Sequence, residues 1–184
     1  MAPLNAAPHD RRLIRLCHGV RAMVLLGAVA LALLPFVFWF MPSWVAVWVS
    51  QMTALPASAV RPTELTPWLG ALATLLPVGL GLAALWQLWQ LFGAFAAGRA
   101  LTHAAQQHLR RFALALLALS VCEPIYRAAM SVLFSLGNPP GQRQLIVGLS
   151  SHDYLQVLLA LVLLAIAIVM GDAVRAEEEN RAFV

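Results

Sequence analysis

Four apolar runs, each near the length needed to cross a bilayer, constrain this chain more than any other feature. They cover residues 22–40, 68–92, 112–134 and 155–171. A helix rises ~1.5 Å per residue, so about 20 residues cover the ~30 Å hydrocarbon core. None of the runs alternates apolar and polar residues, which argues against membrane strands. Composition agrees: 61% of the residues are hydrophobic and 11% charged, where a soluble domain has about half and about a quarter. A water-soluble globule of 184 residues has too much surface for its volume to hide that much apolar area. The expected fold class is all-α, an integral membrane four-helix bundle. It forms a single membrane domain over residues 1–184, with a tail at 172–184 and no room for a separate soluble domain. The basic stretch before the first run resembles a secretory signal. That run is too long for a signal core and lacks a small-x-small cleavage site, so it reads as an uncleaved span.

Arginine placement sets the expected orientation. All twelve basic side chains are Arg. Nine of them (11, 12, 15, 21, 99, 110, 111, 175 and 181) fall in the N-terminal segment, the second connection and the tail; Arg61 and Arg143 fall on the other side. The positive-inside rule then puts both termini and the 93–111 connection in the cytoplasm. Arginines that flank apolar runs answer to lipid headgroups, so direct nucleic-acid binding is not expected. Trp39, Trp44, Trp48 and Trp68 mark the outer ends of the first two spans, and Trp86 and Trp89 the inner end of the second. At those depths they read as headgroup anchors. Thr66 is the expected N-cap of the second span, with Pro67 at its first helical position. Asp153 is the expected cap of the fourth.

The third span departs from a plain lipid-crossing helix at Cys122-Glu123-Pro124-Ile125-Tyr126-Arg127. A central charge costs ~2.5–3.5 kcal/mol on insertion scales, while about ten Leu, Ile, Phe and Val side chains recover roughly 3–6 kcal/mol in all. Carrying both Glu123 and Arg127, this helix is marginal alone and needs its neighbours. Ser120, Glu123, Arg127 and Ser131 step by 3, 4 and 4, which makes them one helical stripe facing the bundle interior. Thr74 of the second span falls at the depth of Arg127. Glu123 and Arg127 form an i,i+4 pair in the favourable order. Pro124 has no N–H to give the Ser120 carbonyl, and Pro77 stands near Thr74. Two functions are open to Glu123. It is a proton or cation site, as intramembrane carboxylates often are, or half of a neutralised pair that fixes helix packing. The adjacent Arg favours packing.

No pattern calls for a cofactor or a metal. Cys17 and Cys122 sit at different depths and are expected not to pair. His9, His18, His103 and His108 lie in cytoplasmic segments and His152 in an outer connection, whereas bis-histidine haem needs ligands inside the spans. There is no glycine-rich phosphate loop, nucleophile elbow or paired carboxylate, so an enzyme is not expected. Gly79 to Gly81 and the Ala-rich faces of spans two and four suit close helix packing. A homo-oligomer is also open to the chain.

The second connection reads FGAFAAGRALTHAAQQHLRRFALALL, and the chain ends MGDAVRAEEENRAFV. Over roughly 86–184 this pairing resembles the domain of unknown function 2975 family of small bacterial membrane proteins. The matching positions are Gly98, Leu101, Thr102, Leu109, Arg110 and Arg111, then Glu177, Glu178 and Glu179. The tail departs from the family's usual apolar or Thr-rich close by ending on Arg181, Ala182 and Phe183. The resemblance implies a multi-pass protein of the bacterial inner membrane with no established activity. Its members are often encoded beside small helix-turn-helix regulators, which implies such a transcription regulator as a partner. The residues allow that role. Gly98 can end one helix and Thr102 cap the next, and Arg175–Glu179 and Glu177–Arg181 are i,i+4 pairs that support a short helix in the tail. Thr102, Arg110, Arg111 and the three glutamates thus form a candidate cytoplasmic partner surface. The competing function is a small transporter working through Glu123.

Overall fold

A computed structural model describes residues 8–39, 41, 45, 65–100, 102–136 and 145–182. Within its helices it describes all side chains but those of 8–11, 177, 178 and 180–182. Four helices account for nearly all of the described chain: α1 (Pro8–Trp39), α2 (Thr66–Ala96), α3 (His103–Ser135) and α4 (Ser151–Ala182). There is no strand among the described residues. Each helix is long and apolar enough to cross a membrane. Trp44, Trp48, Arg61 and Arg143 lie outside the described residues.

The helices outrun the apolar runs, mostly at the end that holds the two termini and the α2–α3 turn, here called the inner end. α1 starts at Pro8, fourteen residues before its run; α3 starts at His103 and α4 continues to Ala182. Hydropathy marks only the part of a helix that lipid can cover. The extensions are rich in Ala, Arg, Gln and Glu, which favour helix without being apolar.

Helix ends follow local chemistry. α2 stops at Gly98, which takes φ 70°, a conformation that costs glycine little. Arg99 N–H donates to Ala94 O at 2.9 Å and Gly98 N–H to Phe95 O at 3.0 Å, the paired bonds of a Schellman stop. Thr102 then caps α3, accepting from Ala105 N–H at 3.3 Å, as its sequence position predicts. The start of α2 differs from expectation. Leu65 is the N-cap without a side-chain bond, and Thr66 is already helical and buried. Pro67 fits there because the first-turn N–H groups have no helical partner to lose.

Consecutive helices pack antiparallel, and each pair keeps a steady register. Along α1–α2 the Trp39 ring covers Gly70, Leu31 meets Gly81, and Arg21 lies by Gly93. A Cβ on Gly81 would stand 2.7 Å from Leu31 Cδ2, so this glycine permits the close approach; a Cβ on Gly79 would meet no described residue within 4 Å. Along α2–α3, Thr74 faces Tyr126 and Gln87 faces His108. Along α3–α4, Arg127 faces Asp153 and Gln106 faces Ala167. Buried side chains gather at both ends: Trp39, Met130 and Phe134 outside, and Leu91, Ala105, Leu109 and Ala167 inside. Elsewhere large apolar side chains point outward, among them Leu26, Leu33 and Leu34 on α1 and Leu159, Ile168 and Val169 on α4. Water does not tolerate apolar faces of that extent. Lipid covers them, and the chain is a multi-pass membrane protein.

Candidate functional site at the outer end

Arg127 leaves Glu123 and crosses to α4. Its Nη2 donates to Asp153 Oδ2, forming an ion pair, and to Gly148 O at 3.4 Å. This corrects the expected Glu123–Arg127 pair. The physical reason is direction: an arginine near a helix end extends its head toward the nearer interface. Here that is the outer one, and Glu123 lies a turn deeper. The Arg127 side chain keeps 17% of its surface and that of Asp153 only 4%, so the pair is largely withdrawn from solvent.

Asp153 also organises the start of α4. Its Oδ2 accepts from Ser150 N–H at 2.7 Å, and Ser150 Oγ accepts from Asp153 N–H at 3.2 Å. These reciprocal bonds are a capping box, with Ser150 as the cap and Asp153 three residues on. The expectation that Asp153 is itself the cap is corrected accordingly, and α4 starts at Ser151. One carboxylate oxygen therefore closes a helix end and holds a partly covered cation. The other, Oδ1, is buried without a hydrogen-bond partner among the described residues, as is Gln156 Oε1 about one turn on.

The stripe on α3 divides in function. Ser131 is buried; its Oγ donates to Ala128 O at 2.8 Å and accepts from Ile146 N–H at 3.0 Å. Ser131 and Arg127 together clamp the chain entering α4 against α3. Ser120 is buried and donates to Leu117 O of its own helix at 2.8 Å. Glu123 is half-buried and has no hydrogen bond or ion pair among the described residues.

Thr74 builds a second polar node. Its Oγ1 shares a hydrogen bond with Tyr126 Oη at 2.8 Å, accepts from Trp39 Nε1 at 3.1 Å and donates to Gly70 O at 2.7 Å. Three helices meet there. Trp39, read from sequence as a headgroup anchor, is 6% exposed and stacks on Phe134 at 6.0 Å between centroids. Trp68 and Trp86 are exposed, as anchors would be. Tyr126 was not singled out by sequence reasoning, although it neighbours Arg127 and follows Glu123 by three. A cavity of about 230 Å³ opens beside the node, lined by Leu34, Pro35, Phe38, Trp39, Thr74 and Tyr126.

At the inner end the candidate surface is partly assembled. Thr102 serves as a cap, and Arg110, Arg111 and Glu179 are exposed, without ion pairs between them. The side chains of Glu177 and Glu178 lie outside the described set, while their backbone continues α4. Arg21 stacks over Trp89 at 4.0 Å, so this topology arginine also joins α1 to α2. Among the described residues no group of His, Cys, Asp and Glu comes together as metal ligands do, and both cysteines are free thiols.

The profile of the family described as a protein of unknown function (DUF2975) matches residues 51–184. The chain belongs to this family. The DUF2975 match reaches further upstream than residues 86–184, which carry the resemblance in sequence. It takes in α2–α4, hence Thr74, Tyr126, the ion pair and the capping box, and leaves Trp39 and the rest of α1 outside. No curated protein and no solved structure matches the chain.

Proposed function

We propose that this DUF2975 protein is a non-enzymatic protein of the bacterial inner membrane that holds a partner at its cytoplasmic face, the partner being a helix-turn-helix regulator. One observation carries the proposal: α4 runs unbroken from the lipid-facing stretch to Ala182. Residues 172–182 extend it by roughly 16 Å at 1.5 Å per residue. Lipid tails do not cover that segment, with its Arg175, Glu177, Glu178, Glu179 and Arg181. A short helix is marginal in water, but this one is an extension of an existing span and offers a preformed surface. The nine-to-two arginine split supports a cytoplasmic location, and the family resemblance supports the partner class. Co-expression of the full chain with the regulator encoded beside it, followed by detergent extraction, tests this. Copurification is expected for the wild type and its loss for Glu177→Lys/Glu178→Lys/Glu179→Lys. Equal recovery with both chains rules out this surface.

A second function is favoured by one specific observation: with Arg127 committed to Asp153, Glu123 is left without a pairing partner among the described residues, near the middle of α3. Unpaired intramembrane acids mark proton and cation paths. In proteoliposomes with an imposed potential, transport requires a proton or cation flux that Glu123→Gln abolishes. A partner-holding protein gives no flux with either chain.

A further inference from the structure

Between the inner ends of α3 and α4 runs a groove of about 300 Å³, at the lower end of the range for pockets that hold small ligands. Its composition changes along its length. Leu114, Leu164 and Ile168 line the end that lies deeper in the span, and Arg110, Asp172 and Arg175 line the mouth. The register explains this order. Gln106 Nε2 donates to Ala167 O at 3.3 Å, and a Cβ on Gly171 would stand 3.0 Å from that same nitrogen. Two turns further along α3, Leu114 therefore faces the Leu164 level. Arg110 and Arg175 are both exposed, and neither forms an ion pair with Asp172 or another described residue. Two guanidiniums against one carboxylate leave a net positive charge at headgroup depth, directly above an apolar wall.

We propose that this groove seats an anionic phospholipid of the surrounding bilayer, its phosphate held by Arg110 and Arg175 and the upper part of one acyl chain laid along Leu114, Leu164 and Ile168. The volume suits a headgroup and the top of a chain; the remainder of the lipid stays in the bilayer. Arginine suits the task because its planar fork binds phosphate oxygens in pairs. Basic pockets between spans at the cytoplasmic side are physically apt sites for anionic headgroups. The site shares Arg110 with the partner surface but needs no partner for its own occupancy.

Native mass spectrometry of the full chain in detergent, titrated with phosphatidylglycerol or phosphatidylethanolamine, tests the proposal. Phosphatidylglycerol is expected to stay bound where phosphatidylethanolamine does not. Arg110→Gln/Arg175→Gln is expected to weaken it about 25-fold, roughly fivefold for each arginine at an anionic surface. Arg12→Gln/Arg15→Gln removes the same charge away from the groove and should leave binding unchanged. Leu164→Trp, which fills the apolar end, should weaken phosphatidylglycerol with both arginines intact. Equal binding of the two lipids, or an equal loss on removing Arg12 and Arg15, overturns the proposal. So does displacement of the lipid by inorganic phosphate, which would make the site one for a free anion. Because no regulator is present, failure here leaves the partner proposal standing, and the converse holds.

Discussion

Arg127→Met is expected to destabilise the folded protein by about 3–5 kcal/mol, the cost of leaving one member of a buried ion pair without the other. The stranded group is Asp153: among the described residues its Oδ1 has no partner and its Oδ2 retains the Ser150 N–H alone. Asp153→Asn is expected to cost less. Asparagine still accepts from Ser150, and Arg127 keeps some exposure through which to reach water. The double variant should recover most of the Arg127→Met loss, so the two changes are strongly non-additive. Glu123→Gln is expected to change stability by less than about 1 kcal/mol, since Glu123 has no partner among the described residues. Unfolding curves in a single detergent measure all four chains. Wild-type stability for Arg127→Met, or a Glu123→Gln loss as large, would reassign the pair.

The second large effect is expected at Trp39. Trp39→Ala removes the ring that covers Gly70, stacks on Phe134 and donates to Thr74. Truncating a buried Trp costs about 3–5 kcal/mol in water-soluble cores. The lower end applies here, because lipid can solvate freed apolar surface and packing is what is lost. Trp39→Phe should cost more than the about 1 kcal/mol of one hydrogen bond and less than Trp39→Ala, because Thr74 keeps Tyr126 but phenylalanine lacks the Cη2, Cζ2 and Cζ3 atoms that cover Gly70. Gly70→Ala should approach the Trp39→Ala loss from the other side of the contact, at about 1–3 kcal/mol of overpacking. Trp68→Phe, on an exposed ring, should be near neutral. The same unfolding assay ranks the four variants, and a Trp68 effect equal to that of Trp39 contradicts the buried node.

These two sites show what the sequence makes legible. Span number and order are readable because apolar runs of bilayer length have few other uses. The α2–α3 turn is readable because Gly98 and Thr102 act on their own neighbours. Arg127's partner was hidden, because helical spacing ranks only partners on the same helix, and Glu123 stood at the favourable one. A signal did exist: Ser150 and Asp153 form a capping-box pattern, and a connection of only fifteen residues between α3 and α4 brings that acid back to the outer end of α3. Trp39 reads as a headgroup anchor because an indole at the end of an apolar run suits that depth. Only the antiparallel register, which sets Gly70 and Thr74 opposite it, reveals the socket. Glu177 and Glu178 remain sequence-level candidates, without described side-chain contacts.

The ion pair also bears on how the chain is made. α3 emerges from the ribosome carrying two charges that its apolar residues barely offset, while the carboxylate that neutralises Arg127 lies at the start of the next helix. Release of α3 alone into lipid would strand that cation. Entry of α3 and α4 as a hairpin would bring Asp153 to Arg127 at once and avoid that state. The fifteen-residue connection keeps the two charges close along the chain as it is made.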